Sequence, residues 1–366
     1  MNDLRNLNPA DEYRNEAGRD DENEKGGSGP VKKTTLLYMV LIAAFLAYAA
    51  RHVYTNQVGE GSFRSEELRG ELGENYVMVT FLSGIEYWKS CLKGFEDAAE
   101  ALNVSIEYRG ATQYDAREQI TVLEQIIAKK PAGIAISAID PDSLKGAIDK
   151  AVDAGIPVVL FDSGAPDSKA YSFLGTDNAA AGGAAAEQMA GLLGGQGQVA
   201  VITLPNQQNH DERTQGFQDA IRQRYPGMEV VAVEDDKGDA MIAKDLTKSL
   251  LKRYPNLAGV FVTEAAGGKG AGEAAAELER TGKLRVIAFD TDKDTLDMIR
   301  EGRISATIAQ GTWNMGYWSL QYLFHLHHDL TIPSPTASGD VSPLPVNVNT
   351  GISVVTPQNV DDYYAK

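Results

Sequence analysis

The residues able to do chemistry sit just after short apolar runs. Ser83, Ile85, Tyr87 and Trp88 follow YVMVTFL, Ser137 and Asp140 follow AGIAIS, Asp162 closes IPVVLFD with Ser163 next to it, and Thr176 opens TDN. Further on, Asn206 and Gln207 follow QVAVITL, Glu264 follows AGVFVT, Asp290 closes LRVIAFD, and Gln310 closes SATIAQ with Trp313 beyond it. The set combines aromatic rings with carboxylates, amides and hydroxyls. Sugars present apolar C–H faces that stack on flat rings and hydroxyl rims that need donors and acceptors at fixed angles. A neutral polyol is therefore the best chemical match. Phosphate or an amino-acid carboxylate would want Arg or a P-loop, and the only cation near these positions is Arg213 or Lys269.

Each candidate also has a plainer role. Asp162 and Asp290, closing equivalent runs, form the strongest pair, with helix capping as the alternative. Tyr87 and Trp88 open a helix, as ligand platform or as core. Gln310 is a ligand residue or a partner of hinge backbone. Glu264 starts AAGGKGAG, but GxxxxGK[ST] is absent, so a close-packed strand–helix turn is expected there. Arg213, in HDERTQGF on a helix, is a cleft candidate whose other reading is a surface ion pair. His325, His327 and His328 do not share a helix face well, and no metal site is expected. The single cysteine, Cys91, forms no intrachain disulfide and reads as a small half-buried thiol. No GxSxG, HExxH or Cys/His dyad appears, so neither enzyme chemistry nor a cofactor is expected.

The elements that position these residues occur twice. GIPVVLFD at Gly155 is echoed by KLRVIAFD at Lys283, AGIAIS at Ala132 by AGVFVT at Ala258, and GFEDA at Gly94 by GFQDA at Gly216. The spacing of about 125 residues, far beyond solenoid periods, marks a duplicated lobe. From Tyr76 onward, β-branched runs of strand length alternate with amphipathic stretches such as 86–102, 115–129 and 142–154. Runs apolar on both faces suit buried parallel strands, each feeding a helix. In such sheets ligands bind beyond the carboxyl ends of the strands, where the candidates lie.

The net charge of -17 over 366 residues leaves no basic face for nucleic acid. Residues 1–33 read as a disordered acidic tail. The uncharged run 34–50 just reaches the length of a transmembrane anchor, and Lys25, Lys32 and Lys33 favour a cytoplasmic N-terminus. A cleaved signal segment is the alternative, with Ala47-Tyr48-Ala49 as its site. Either way the globular part is extracytoplasmic, after a stalk at 51–75.

With these residues in view, the region from Tyr76 to about Val360 resembles the periplasmic sugar-binding proteins of the ribose and galactose type, the type I solute-binding proteins of ABC transporters. The resemblance rests on Tyr87-Trp88, GIPVVLFD, GTDN at Gly175 to Asn178, RTQGF, VIAFD and ATIAQ. It implies an α/β fold of two doubly wound parallel-sheet lobes joined by a three-strand hinge. The crossings would fall near Thr176, Gln310 and Asn347 to Thr350, with residues 76–175 plus about 312–346 in the N-terminal lobe and 176–310 plus about 350–366 in the C-terminal lobe. By the same similarity Tyr87 and Trp88 stack on a sugar, while Asp162, Asp290 and Gln310 bond its hydroxyls. Ribose-type members have Arg where Ser163 stands and Asn where Glu264 stands, and their helix arginine is displaced here, with Asp211 near its place. These departures point away from ribose itself.

The implied function is to capture a monosaccharide or related polyol and deliver it to an ABC transporter permease. Gram-positive members are commonly tethered by a lipidated cysteine, which is missing here. A transmembrane tether with an acidic tail looks more like binding proteins that report to a membrane sensor histidine kinase, which is the alternative partner. An NAD-dependent oxidoreductase would need G-x-G-x-x-G after the first strand, where SGIEYW stands. A sugar-responsive repressor would need a basic DNA-binding helix pair in place of the acidic tail.

Overall fold

Two six-stranded sheets, each fed by alternating strands and helices, carry the candidate residues. The computed structural model describes residues 30–59, 68–205, 207–331 and 344–364. Helix α1 (Pro30–Gly59) belongs to one compact unit, Met1–Arg64, and everything that follows belongs to the other, Ser65–Lys366. The tail assigned to 1–33 lies outside the described residues except where α1 begins at Pro30, and α1 runs on into the region assigned to the stalk. Large apolar side chains from Leu36 to Tyr48 are exposed all along it. Among the described residues no helix is long and apolar enough to cross a membrane.

The second unit begins with β1 (Asn75–Thr80), α2 (Trp88–Leu102), β2 (Ser105–Gly110), α3 (Ala116–Lys129), β3 (Gly133–Ile136), α4 (Pro141–Asp153), β4 (Val158–Phe161) and β5 (Phe173–Gly175). The series then repeats as α5 (Asn178–Leu193), β6 (Gln196–Thr203), α6 (Gln208–Arg224), β7 (Gly227–Asp235), α7 (Ala240–Arg253), β8 (Leu257–Val262), α8 (Ala265–Glu277), β9 (Arg285–Phe289), α9 (Lys293–Arg300) and β10 (Ala306–Gln310). After α10 (Thr312–His327), the strands β11 (Asn347–Asn349) and β12 (Ile352–Val355) complete it. Local signals set the boundaries. Asp115, Asp140, Asp177 and Asp239 each cap the following helix by accepting a backbone N–H. Left-handed Asn103, Lys130 and Gly194 end α2, α3 and α5.

The strand orders are the same in both lobes: β11-β5-β4-β3-β1-β2 and β12-β10-β9-β8-β6-β7. Each sheet buries apolar residues on both faces, so each lobe has two core layers. All strand pairs are parallel except β10 with β12. That exception to the all-parallel expectation follows from connectivity. β12 comes straight from β11 in the other sheet, with no crossover helix to turn the chain, so it runs back along β10.

The chain crosses between lobes three times, and each crossing hands over an element. α5 leaves the first sheet at β5 and packs on β8, β9 and β10, while α10 leaves the second sheet at β10 and packs on β3, β4 and β5. The repeated GF(E/Q)DA helices receive them. A Cβ at Gly94 of α2 would lie 2.0 Å from the Trp313 carbonyl of α10, and one at Gly316 of α10 would lie 1.8 Å from the Cys91 carbonyl of α2. In the second lobe, Cβ atoms at Gly182 and Gly216 would meet the Arg213 and Ala179 carbonyls at 2.0 and 2.2 Å. The repeat thus conserves a backbone-to-backbone helix contact that only glycine permits.

AAGGKGAG proves to be helical, the first turns of α8, where a turn was expected. Its glycines serve packing, since a Cβ at Gly268 would lie 2.5 Å from Ala288 Cβ and one at Gly270 would lie 2.1 Å from the Ala240 carbonyl. Cys91 is fully buried, not half-buried, and burial pushes its thiol well up.

Candidate functional site

The carboxyl ends of both sheets face one cleft of about 320 Å³. Asp162 and Asp290 occupy equivalent places in it. Each follows its strand in a left-handed conformation, φ 60° and 66°, and each donates its backbone N–H to a hinge strand, at Leu174 and Ile308. Aspartate tolerates this backbone better than most residues, and outliers of this kind cluster at ligand sites. The turn swings both carboxyls out of the sheet plane, toward the cleft.

Asp162 accepts from Tyr87 Oη at 2.5 Å and from Ser137 Oγ at 3.0 Å. Ser137 is buried behind it and acts as its support. Burial raises the Asp162 carboxyl, opposed by the Tyr87 bond and the charge of Arg213. Burial likewise lifts Asp290, to about 7, against the opposing charge of Arg213 and the Gln310 bond.

Arg213 corrects the surface ion-pair reading, for it is 2% exposed at the heart of the second lobe. Its Nε donates to Asn178 Oδ1, its Nη1 to the Thr263 carbonyl and its Nη2 to Gln310 Oε1, each at 2.9 Å. The guanidinium lies over the Phe289 ring, 3.8 Å from its centroid. Gln310 is the junction. Its Oε1 also accepts from Thr176 Oγ1 at 2.6 Å, while its Nε2 donates to Asp290 Oδ1 at 2.8 Å and Tyr87 Oη at 3.1 Å.

Not every candidate reaches this centre. Trp88 lines the cleft floor but is 2% exposed, its Nε1 donating to the Phe81 carbonyl. Ser83 is not among the residues lining the cleft, and its carbonyl accepts from Tyr108 Oη. Ser163 lines a neighbouring hollow of about 550 Å³ on the hinge side, joined to the cleft at Asp162, and Thr176 lines it too but is bonded to Gln310. Glu264 lies at the cleft wall and caps α8, accepting from Ala266 and Gly267 N–H. Burial and the adjacent Asp236 charge raise its carboxyl. Asn206 lies outside the described residues. Asp140 caps α4, Lys269 pairs with Asp294, and Trp313 donates to Asp97 at 2.9 Å, so these three serve the lobes' own structure.

Among the cleft residues that escaped sequence reasoning are Phe81, Tyr114, His210 and a further cation, Lys237. Phe81 and Tyr114 form an edge-on aromatic pair at one wall, 5.8 Å between centroids. His210 is buried against Thr263, and burial together with the Arg213 charge pushes it down to about 3, so the ring is neutral. Its signal was present in HDERTQGF, three residues before Arg213 and so on the same helix face.

The arrangement holds ring walls, two convergent carboxyls and one buried guanidinium. Residues 76–327 match the model of the periplasmic binding protein domain. The chain belongs to that family. A sugar-binding protein of a sugar ABC transporter from Bacillus halodurans is 63% identical to this periplasmic binding protein over 80% of the chain and 100% of its own, with TM-score 0.77. AraP, an arabinose-binding protein from Geobacillus stearothermophilus, is also 63% identical, covers 80% of the chain and 99% of its own, and gives TM-score 0.74. The D-allose-binding periplasmic protein of Escherichia coli is 25% identical over 68% of this chain and 83% of its own. A structure of the XylFII–LytSN complex is 26% identical, with TM-score 0.69, covering 78% and 98% of the two chains.

Proposed function

We propose that this periplasmic binding protein captures a monosaccharide, an aldopentose of the arabinose kind, between its lobes and presents the closed form to an ABC transporter permease. One observation carries the reading. Asp162, Tyr87, Gln310, Asp290 and Arg213 form a chain of hydrogen bonds and opposite charges that runs from one lobe through the hinge into the other. A polyol whose hydroxyls bond both ends of that chain binds the closed form better than the open one, and so shifts the population toward closure. The ring walls from Phe81, Tyr87 and Tyr114 supply the apolar face a pyranose needs. The likeness to AraP supports a pentose. Binding is the whole activity in this reading, with Ser137, Ser163, Thr176 and Glu264 as supporting or rim contacts.

The test is titration calorimetry of the protein with arabinose, ribose, allose, galactose and xylitol, with Asp162→Ala as the control. Binding of one pentose that disappears in the variant supports the proposal. Binding of an amino acid or nucleotide, and of no sugar, overturns it.

We also propose that the apolar run at 34–50 anchors the protein in the membrane, with the lobes extracytoplasmic. The exposed Leu36, Leu37, Val40, Leu41, Ile42, Phe45 and Leu46 of α1 support this, since a helix apolar all round needs an apolar surrounding. Resistance of the protein to alkaline extraction from membranes tests it, and a secreted chain beginning after Ala49 sinks it. A tether of this kind, with the likeness to XylFII in complex with LytSN, favours a second output, to a membrane sensor kinase. Co-purification with a permease or with a kinase separates the two.

A further inference from the structure

The strands of the first sheet begin at the end of the lobe away from the cleft, and there the chain's entry into β1 meets the end of α10. Glu74, one residue before β1, has Oε2 2.9 Å from His328 Nε2 and 3.4 Å from Tyr76 Oη, while its Oε1 accepts from the Glu71 N–H at 2.9 Å. His327 stands edge-on to Tyr76 at 5.9 Å and to His328 at 5.2 Å between ring centroids. One ligand atom from each of Glu74, His327 and His328 lies within 4.8 Å of the other two.

We propose that these three residues bind a divalent first-row transition-metal ion, with Zn²⁺ as the type. Two imidazoles and a carboxylate are the donor set of open zinc sites, and imidazole also suits copper and nickel. Adjacent histidines diverge on a helix, which speaks against a shared ligand role. Here the objection lapses, because α10 ends at His327 and His328 is its C-cap, outside the regular turn. The negative end of that helix's dipole also favours a cation. Tyr76 Oη and the Glu71 N–H hold the carboxylate in place, as second partners of metal ligands do. Zn–N and Zn–O bonds of ~2.0–2.1 Å bring tetrahedral donors to roughly 3.3 Å from one another. Exposed His327 closes that gap by rotating its side chain. Two opposing charges, Lys129 and Lys130, line the same hollow of about 310 Å³, and Lys129 is paired with Glu107 at 3.3 Å.

The ion would take the place of the proton shared by Glu74 and His328, clipping the start of β1 to the end of α10. Glu74 and His328 stand 254 positions apart. The sugar cleft, at the other ends of the strands, is left alone.

The experiment uses the untagged full-length protein in a non-chelating buffer at pH 7.5, titrated with Zn²⁺ by calorimetry and followed by thermal shift. One equivalent binding in the micromolar range with a raised Tm is expected, weakened at least about tenfold by His327→Gln and by Glu74→Gln. His327 is exposed, so its variant keeps the fold, and unchanged sugar affinity checks this. Failure of Zn²⁺ to saturate below about 100 μM, or binding that survives both substitutions, overturns the proposal.

Discussion

Tyr87 and Gln310 stand 223 positions apart and are hydrogen-bonded at 3.1 Å across the mouth of the hinge. Tyr87 donates its own O–H to Asp162, and Gln310 uses both lone pairs and both N–H groups, on Thr176, Arg213, Asp290 and Tyr87. An amide with its whole bonding capacity occupied cannot be replaced without leaving several buried groups short. Gln310, at the end of β10, therefore ties the hinge to the residues of the cleft.

Gln310→Leu keeps the volume and strips all four bonds. Each buried group left unsatisfied costs ~1–3 kcal/mol, so the variant should lose at least about 3 kcal/mol of stability as well as its sugar binding. Urea denaturation measures the first and calorimetry the second. Stability within about 1 kcal/mol of wild type would mean the network is slack.

Asp162→Asn separates binding from folding. Burial already makes the Asp162 carboxylate costly, so the amide should leave stability unchanged or slightly raised while sugar affinity falls ~100-fold, about 2.7 kcal/mol. Tyr87→Phe removes the partner at 2.5 Å, and the two substitutions together should cost less than their sum. Strict additivity would show that the Tyr87–Asp162 bond does not organise the site.

Much of this was legible in the residues. Twin FD endings, the echo of GFEDA in GFQDA and the strand-then-helix rhythm specify the lobes, because buried parallel strands must be apolar throughout and crossover helices must carry a stripe. The place of Arg213 was not legible. A charged residue on a helix usually faces water, and only the fold brings Asn178, Thr263 and Gln310, up to 97 positions away, around its guanidinium. The glycines of α8 misled for a related reason: glycine near a strand end reads as a turn unless one knows that Ala240 and Ala288 press against it. Glu74 and His328 lie beyond any periodic pattern.

Asp290 predicts a pH dependence. Its carboxyl is near 7 when folded, against about 3.9 in an unfolded chain, so between those values the folded state holds the extra proton. Its contribution to stability therefore declines as pH rises from about 4 to 7 and is constant above. Sugar hydroxyls donate best to the ionised carboxylate, so binding should release a proton and affinity should fall as pH drops below 7. Calorimetry in buffers of different ionisation enthalpy counts that proton. Asp290→Asn should abolish the release, and the same release in the variant would assign it elsewhere.

His210 gives the opposite slope. Its ring stays neutral when folded, down to about 3, whereas an unfolded histidine takes up a proton near 6.5. Stability from this group is present above 6.5 and is lost as pH falls below it, by about 2 kcal/mol at pH 5. Comparing His210→Asn with wild type by thermal denaturation at pH 7.5 and 5 isolates the effect from that of Asp290, and equal pH losses in both proteins would sink it.

The glycine contacts between helices make the last prediction. Gly316→Ala places a methyl within 1.8 Å of the Cys91 carbonyl, where the obstacle is backbone and cannot rotate aside. α10 must lift off α2, and overpacking of this kind costs at least about 2 kcal/mol. Because α10 is the element handed over from the second lobe, lifting it also disturbs Gln310, two residues before its start. Gly316→Ala should thus weaken sugar binding though it lies outside the cleft. Gly94→Ala meets the same seam from α2, with its Cβ 2.0 Å from the Trp313 carbonyl, and α2 is tied to Gln310 through Tyr87 at its start, so it should destabilise similarly and weaken binding as well. Sugar affinity unchanged in both variants would show that the seam between α2 and α10 transmits nothing to the hinge.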